Sequence, residues 1–281
     1  MQVYVNGKMV PAEEAAVSVM DHGFLYGVGL FETVRVYRRR LFLWEDHYAR
    51  LCSGLLALRF AVPWSAEELA DAILQTVEAN DLENAYVRLS VTGGPEGVGL
   101  VTGGYPRPSL YIFAKPVPPI AEPPSPKRLI TVSIPRQTSE GLRRYKSHNY
   151  LNNALARLEL GQEPDAEGLF VTHDGFLAEG IVSNLFWVRS GRLYTPSLQT
   201  GILDGITRRH VLSLAAQLGI ACEEGLYRQE DLYRADEVFL TNSVMEIVPA
   251  AQVDGQLVPE TYGPVTRKLR TAYRQSVELG K

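Results

Sequence analysis

The sequence predicts an α/β protein with about two domains, and three observations lead to this prediction. The chain has 281 residues, whereas one domain usually holds roughly 100–200. Stretches with the alternation of strands and stretches with helical spacing are mixed along it, as in layered α/β folds. Residues 117–127 contain five prolines, which exclude a helix or a central strand. We therefore predict an N-terminal α/β domain over 1–117, a linker over 118–127 and a C-terminal domain over 128–281.

The N-terminal part is predicted to be rich in strands. Asn6-Gly7 suits the tight turn of a hairpin between the strand patterns 3–5 and 9–10. Ser65 and Glu68 have the spacing of a helix start at which two side chains cap the backbone reciprocally. The other expected elements are a second hairpin over 31–37 and 41–43, helices over 45–60 and 65–80, and strands over 86–91 and 110–113.

The C-terminal part mixes strand and helix patterns more evenly. Helices are indicated where apolar residues recur every three or four positions, and strands where short apolar runs lie between turn residues. The expected strands are 129–134, 168–172, 181–188, 192–194 and 237–240, and the expected helices are 149–160, 207–218 and 262–279.

Composition and charge exclude several classes of protein. The 28 basic residues are outnumbered by 32 acidic ones, so the net charge is −4 and nucleic acid is not an expected partner. Cys52 and Cys222 stand alone, which argues against a disulfide framework and a cysteine zinc site. The histidines show no metal-binding spacing, and no apolar run approaches the ~18–20 residues of a membrane span. With no targeting segment visible at the start, we expect a cytoplasmic protein without a metal site.

Lys146 is the lysine whose surroundings favour chemistry. It lies in the sequence RRYKSHNYLNN, directly before a helical pattern. The positive charges of Arg143 and Arg144 favour the neutral, nucleophilic form of its amine. The alternative, a solvated basic turn, stays open on the local sequence alone.

Two polar residues stand in the most apolar segment of the C-terminal part. Glu179 precedes the run IVSNLFWV, where a carboxylate is costly unless it is paired. It is either a turn residue at a strand edge or a carboxylate aimed at a cationic ring nitrogen. Asn184 lies inside the run and needs a partner, most simply a backbone group.

Three places could bind an anion. Thr207 stands at the start of a helical pattern, where free backbone N–H groups and a hydroxyl form an anion cradle. An ordinary helix cap is the alternative there. Asn242 and Ser243 follow a strand and add an amide and a hydroxyl. Arg50, on the first long helix, could hold a phosphate through two parallel hydrogen bonds.

A reactive lysine, a carboxylate and a phosphate cradle are together what pyridoxal phosphate requires from a protein. Their order along the chain resembles that of the class IV aminotransferases, which are fold-type IV pyridoxal-phosphate enzymes. The segments that carry the resemblance are DHGFLYGVGLFET at 21–33, KSHNYLNN at 146–153, EGIVSNLFW at 179–187, YTPSLQTGILDGITRR at 194–209 and TNSVMEIVP at 241–249. The family includes branched-chain and D-amino-acid aminotransferases. Within it, the chain is most similar to the 4-amino-4-deoxychorismate lyases of the Bacillus type.

The resemblance implies a two-domain fold like that of D-amino-acid aminotransferase, a homodimer, and pyridoxal 5'-phosphate at the domain interface, bound mainly by the C-terminal domain. It implies that Lys146 is the catalytic residue that forms the Schiff base and that Glu179 holds the ring nitrogen. The other expected cofactor residues are Arg50, Ile206, Thr207, Asn242 and Ser243 at the phosphate and Tyr150 at the ring oxygen. The expected substrate-side residues are Tyr26, Phe31, Arg35, Tyr86 and Arg88, of which the two arginines are candidates for a substrate carboxylate.

The implied activity is the conversion of 4-amino-4-deoxychorismate to 4-aminobenzoate and pyruvate, a step of folate biosynthesis. A class IV aminotransferase acting on branched-chain or D-amino acids, with 2-oxoglutarate or another oxo acid, is the alternative, because both reactions begin with the same steps at Lys146. A non-catalytic α/β binding protein without cofactor is a third hypothesis. The joint presence of Lys146, Glu179 and Arg50 argues against it.

We predict that borohydride reduction of the cofactor-loaded protein attaches the pyridoxyl label to Lys146, because reduction converts a Schiff base into a stable secondary amine. Digestion followed by mass spectrometry locates the label, and the variant Lys146→Ala is the control that should remain unlabelled. A label on Lys115, on Lys127 or on any other residue, or no label at all, would contradict the prediction.

Overall fold

The chain forms two compact units, and each of them mixes strands with helices. The structure is a computed structural model that describes residues 1–117, 119–139, 141 and 143–280. The first unit comprises 1–117, Tyr145–Asn149 and Gly280, and the second comprises the described part of Pro119–Arg144 together with Tyr150–Leu279. Pro118, where the predicted linker begins, lies outside the described residues. Residues 119–126 contain neither helix nor strand, as their prolines predict.

An antiparallel sheet forms the base of the first unit. Its strands are β1 (Gln2–Val5), β2 (Lys8–Pro11), β3 (Gly29–Tyr37), β4 (Arg40–Leu41), β5 (Ala85–Thr92) and β6 (Ser109–Pro116), in the order β2-β1-β6-β5-β3-β4. The two predicted hairpins are confirmed. In the first, Asn6 and Gly7 have φ values of 48° and 90°, which a type I′ turn requires at both central positions.

Helices cover one face of this sheet. The helices of the unit are α1 (His22–Tyr26), α2 (Trp44–Ala57) and α3 (Ala66–Glu78). Leu55 of α2 and Ile73 of α3 are fully buried and pack in one apolar core with Val34 and Val87 of the sheet. Side chains alternate along a strand, so the opposite face carries the neighbours of these valines in sequence. This opposite face is called the open face below.

The segment Tyr145–Asn149 adds to the sheet beside the start of β3. The backbone N–H of Phe31 donates to the carbonyl of Lys146, and that of His148 donates to the carbonyl of Gly29, both at 2.9 Å. Tyr145 packs against the apolar core, so alternation places Lys146 on the open face. The sequence puts Lys146 in the C-terminal part of the chain, whereas its segment packs with the first unit.

A larger sheet forms the base of the second unit. Its strands are β7 (Lys127–Thr131), β8 (Ala166–Val171), β9 (Leu177–Gly180), β10 (Asn184–Arg189), β11 (Arg192–Pro196), β12 (Cys222–Gly225), β13 (Glu237–Asn242), β14 (Glu246–Val253) and β15 (Gln256–Leu257). The order is β12-β11-β10-β13-β14-β7-β8-β9, with β15 beside β14. Because β9 also pairs with β10, through Glu179 and Asn184, the strands from β10 to β9 close into a ring.

One predicted strand is wrong. The sequence predicts a single strand over 181–188, whereas β9 ends at Gly180 and β10 begins at Asn184. The turn between them is held by the buried carboxylate of Glu167, which accepts hydrogen bonds from Val182 N at 3.0 Å and Ser183 Oγ at 2.8 Å. A continuous apolar run does not reveal such a turn, because the carboxylate that stabilises it comes from another strand.

The helices of the second unit are α4 (Leu151–Leu160), α5 (Ile206–Gln217), α6 (Gln229–Tyr233) and α7 (Pro264–Glu278). Helices α2, α3, α4, α5 and α7 were predicted, whereas α1, α6, β9, β12, β14 and β15 have no counterpart in the sequence prediction. Within the described ranges, no helix is both long enough and apolar enough to cross a membrane.

The capping box that the sequence predicts is present at the start of α3. Ser65 Oγ accepts a hydrogen bond from Glu68 N, and Glu68 Oε2 accepts one from Ser65 N. We predict that Ser65→Ala lowers the free energy of unfolding by about 1 kcal/mol, because a backbone donor loses its partner. Urea denaturation measures the change. Gln75→Ala, at an exposed position of the same helix, is the control and should change stability by less than about 0.5 kcal/mol; equal effects would contradict the prediction.

Candidate active site

Lys146 lies with an aromatic ring and an arginine on the open face of the first unit. Its Nζ is 4.5 Å from the centre of the Phe31 ring, and the guanidinium carbon of Arg88 is 3.7 Å from the same centre. Arg88 stands on β5 opposite Thr33 of β3, and its Nε donates to Ser90 Oγ at 3.2 Å. An amine that can react and a cation that can bind a carboxylate are therefore held around one ring.

His148 belongs to the same face. Burial and the nearby charge of Arg88 lower the pKa of its imidazole to about 4, so the ring is neutral at pH 7. Among the described residues, its buried Nε2 atom has no hydrogen-bond partner. The imidazole therefore adds a neutral polar atom, and no second cation, to the surroundings of Lys146.

The other predicted substrate-side residues of the first unit differ in exposure. Tyr26 is 38% exposed, and its hydroxyl accepts a hydrogen bond from Gly99 N at 2.7 Å. Tyr86 and Arg35 are cross-strand partners, and Lys115 Nζ lies 4.6 Å from the Tyr86 ring centre. Arg35 is only 5% exposed, whereas Tyr26 is open to solvent. Their proposed contacts with a substrate stay predictions.

Arg50 is bound to a buried carboxylate on the helix-covered face of the first unit. Its Nε donates to Glu32 Oε1 at 2.8 Å and its NH2 donates to Glu32 Oε2 at 2.6 Å. His47 Nδ1 lies 2.7 Å from the same Oε2. Since an ionised carboxylate only accepts, His47 donates here through Nδ1–H.

The charges of this cluster follow from its burial. Burial alone would raise the pKa of Glu32, but Arg50 and His47 more than offset this effect and lower it to about 2. Burial lowers the pKa of His47. At pH 7 the cluster therefore holds one negative carboxylate, one guanidinium and one neutral imidazole.

Glu179 is a buried carboxylate of the second unit. Its Oε1 accepts from Arg136 Nε at 2.8 Å, and its Oε2 accepts from Asn184 Nδ2 at 3.1 Å and Leu203 N at 3.0 Å. Burial raises its pKa, and the charge of Arg136 opposes this rise. A further cation beside Glu179 would favour its ionised form in the same way.

Asn184 connects Glu179 to the start of α5. Its side-chain amide donates both to Glu179 Oε2 and, at 2.9 Å, to the carbonyl of Leu203. Gly205 follows, and a Cβ at this position would lie 2.0 Å from Asn184 Oδ1, so only glycine permits the close approach. The backbone partner that the sequence predicts for Asn184 is present.

The predicted phosphate residues of the second unit lie at two turns. Ile206 and Thr207 are the first residues of α5 and are 2% and 3% exposed, so backbone donors and a buried hydroxyl meet at this helix start. Ser243 is half-buried in the turn after β13. The side chain of Asn242 serves that turn, since its Oδ1 accepts from Val244 N at 2.9 Å and Met245 N at 2.8 Å.

Tyr150 stands at the start of α4. It is 38% exposed, which leaves its ring accessible, and its side chain does not cap the helix. Its predicted contact with the ring oxygen of the cofactor stays a prediction.

Sequence reasoning missed three residues that hold the predicted ones. Arg136 pairs with Glu179, and Glu32 and His47 pair with Arg50. Glu32 stands in a strand of otherwise apolar core-facing positions, which was a signal that it needs a partner. Arg136 gave no such signal, because it lies in an irregular segment with no periodicity.

The family of the chain follows from comparison with known proteins. Residues 29–253 match the family described as Amino-transferase class IV. The chain belongs to this family. This match confirms the predicted family, and the solved structures of relatives confirm the predicted α/β class and cofactor.

Relatives within the class IV family catalyse different reactions, as their names state. Aminodeoxychorismate lyase of Bacillus subtilis (strain 168) is 39% identical, over 98% of this chain and 94% of the relative. D-alanine aminotransferase of Bacillus licheniformis is 31% identical, over 99% and 97%. The structure of branched-chain amino acid aminotransferase from Thermobaculum terrenum in its PLP-form matches with a TM-score of 0.87 and 30% identity, over 100% of this chain and 94% of that one. The chain is a pyridoxal-phosphate-dependent enzyme of this family.

The described residues fit pyridoxal phosphate. A protonated pyridine nitrogen is a cation of the kind that offsets the cost of burying Glu179. The start of α5 offers backbone donors beside the buried hydroxyl of Thr207, which suits a phosphate. The ring nitrogen and the phosphate of the cofactor therefore each have a chemically matching group in the chain.

We predict that Arg136→Met lowers the free energy of unfolding by about 3–5 kcal/mol, because it leaves the buried carboxylate of Glu179 without its ion partner. Urea denaturation measures the change, and Arg136→Met combined with Glu179→Gln should recover part of it. Arg128→Met is the matched control, since the Arg128–Glu163 pair is 39% and 48% exposed and should contribute less than about 1 kcal/mol. Equal losses in Arg136→Met and Arg128→Met would argue against the prediction.

Proposed function

We propose that the chain is an aminodeoxychorismate lyase, which converts 4-amino-4-deoxychorismate to 4-aminobenzoate and pyruvate. The observation that carries the proposal is the 39% identity to the lyase of Bacillus subtilis across 98% of the chain. A putative branched-chain-amino-acid aminotransferase of Methanocaldococcus jannaschii is 38% identical, also over 98% of the chain, and favours the second candidate below. The open face of the first unit is compatible with the proposal, because it brings a reactive amine and a cation that can bind a carboxylate to one ring.

Arg88 and Phe31 have the geometry to position such a substrate. The guanidinium of Arg88 lies over the face of the Phe31 ring, and this contact, together with the hydrogen bond to Ser90, restricts where the guanidinium points. A carboxylate bound there would bring the amine of the same substrate molecule toward Lys146, whose Nζ lies over the same ring. Arg35, with 5% exposure, is the weaker candidate for this contact.

Lys146 supplies the proton transfers in this proposal. When bound, pyridoxal phosphate supplies an electron-accepting ring that makes the hydrogen next to the substrate nitrogen removable as a proton. The amine of Lys146 would accept that proton as general base. In the lyase reaction the substrate then loses pyruvate and becomes aromatic, which favours product formation. In a transamination Lys146 would instead deliver the proton to the cofactor carbon.

The remaining predicted residues would hold the cofactor. We propose that Glu179, kept in place by Arg136 and Asn184, binds the ring nitrogen and keeps it protonated. The residues proposed for the phosphate are Arg50, Ile206, Thr207, Asn242 and Ser243, with Tyr150 at the ring oxygen. Because the Asn242 side chain is used within its turn, its contribution would come from its backbone N–H.

An aminotransferase for branched-chain or D-amino acids is the second candidate. The observation that favours it is the similarity to the D-alanine and branched-chain aminotransferases across nearly the whole chain. The residues proposed for the cofactor serve both reactions equally. The two candidates therefore differ in what the open face accepts as substrate.

The proposal includes a homodimer and a cytoplasmic role in folate biosynthesis, in which 4-aminobenzoate is a precursor. Four apolar side chains of the first unit support the dimer, because their exposure to water is unfavourable in a monomer. They are Val17, Val19, Met20 and Phe24, with exposed fractions between 44% and 69%.

We predict that the purified, cofactor-loaded protein releases pyruvate and 4-aminobenzoate in equal amounts from 4-amino-4-deoxychorismate. Coupled lactate dehydrogenase measures the pyruvate, and chromatography measures the aromatic product. Lys146→Ala should lose both products. If the protein yields no pyruvate but forms oxo acids from leucine or D-alanine, it is the aminotransferase and the lyase proposal is wrong.

A further inference from the structure

Glu32 is a buried carboxylate that the proposed function does not use. It lies on β3 between Phe31 and Thr33, is 1% exposed and points to the helix-covered face. Its neighbours on that face of the strand are Leu30 and Val34, both buried in the apolar core. A carboxylate in such surroundings requires charged or hydrogen-bonding partners.

The partners of Glu32 determine the direction of one side chain. Both carboxylate oxygens bind the Nε–NH2 edge of Arg50, at 2.8 and 2.6 Å. Two parallel hydrogen bonds between planar groups fix both the plane and the direction of a guanidinium. His47, one turn before Arg50 on α2, also binds Oε2 at 2.7 Å, which restrains the carboxylate itself.

Stability alone does not account for this pair. A buried ion pair contributes little net stability compared with apolar side chains of similar size, because both charges lose their hydration. Arg50 is 16% exposed at its side chain and Glu32 only 1%, so the guanidinium leads from the buried carboxylate toward the surface. This arrangement suits a guanidinium that must point in one direction to bind its ligand.

The same strand also holds Lys146. The N–H of Phe31, the residue before Glu32, donates to the carbonyl of Lys146 at 2.9 Å. Two successive residues of β3 therefore fix the lysine on the open face and the arginine on the helix-covered face. The placement of Lys146 relative to Arg50 is therefore set by one strand, β3.

We propose that Glu32, restrained by His47, is a positioning residue that aims Arg50 at the phosphate of the cofactor. The inference rests on the proposed phosphate contact of Arg50 and is independent of which substrate the enzyme takes. It assigns Glu32 no contact with cofactor or substrate.

The test compares how tightly variants bind pyridoxal phosphate and pyridoxal, which lacks the phosphate. The ratio of the dissociation constant for pyridoxal to that for pyridoxal phosphate, from absorbance titrations of cofactor-depleted protein, reports the phosphate contact separately from the ring. We expect Glu32→Gln to reduce this ratio about tenfold, as loss of one charge-assisted hydrogen bond would. Arg50→Ala should reduce it at least as much. Glu32→Asp, which keeps the charge but is one methylene shorter, should also reduce it and decides the matter if Glu32→Gln does not fold.

Thr76→Val is the matched control for a merely structural effect. Thr76 is fully buried in the same unit and donates to the carbonyl of Ala72 at 2.7 Å, so the variant loses a buried hydrogen bond away from Arg50. It should lower thermal stability but leave the ratio unchanged. If Arg50→Ala reduces the ratio and both Glu32 variants keep it, the positioning role is wrong. If Arg50→Ala itself leaves the ratio unchanged, the phosphate contact of Arg50 is wrong, and the inference fails with it. Neither result bears on the lyase assay.

Discussion

The carboxylate of Glu179 is the group on which the second unit depends most. It is buried where two strands of the ring meet, and such a charge is stable only if each oxygen has donors. Arg136, Asn184 and the backbone of Leu203 supply them. Because these donors come from three separate parts of the chain, satisfying one carboxylate at the end of β9 brings together the segment that holds Arg136, the start of β10 and the loop before α5.

The first unit also contains a buried carboxylate with an ion partner, but this partner is placed differently. Glu32 is as deeply buried as Glu179, but its ion partner Arg50 leads toward the surface, whereas Arg136 is buried with Glu179. The low pKa of Glu32 keeps its pair charged across the physiological range. Burial raises the pKa of Glu179, so Glu179 is the carboxylate that gains from an additional cation. The first unit thus offers a cation in a fixed orientation, Arg50. The second offers a carboxylate, Glu179, whose ionised form a further cation would stabilise.

The fold class and most helices and strands could be predicted from the sequence, because they depend on local patterns of residues. The turn at Asn6-Gly7 and the cap at Ser65 each need only residues close in sequence, and both are present. The strand predicted over 181–188 was wrong because its interruption depends on Glu167, which is distant in sequence. Strand β14 was missed because its apolar run includes a proline, Pro249, which normally counts against a strand.

The residues proposed for chemistry could be predicted from the sequence, whereas most of those that support them could not. Lys146 and Glu179 stand in ordered motifs that resemble a family, so their types and spacing carry information. Arg136 and His47 act through contacts with residues 43 and 15 positions away, and nothing in their local sequence marks these contacts. Only the register of strands and the direction of α2 bring them into place.

The pairing of Tyr145–Asn149 with β3 makes this short segment intolerant of insertions and deletions. It contains neither helix nor strand, and loops of that kind usually accept a change in length. Here a shift of one residue would turn Lys146 toward the apolar core and Tyr145 toward the opposite side, because side chains alternate along a paired segment. Between residues 145 and 149 the chain therefore has no freedom to vary in length.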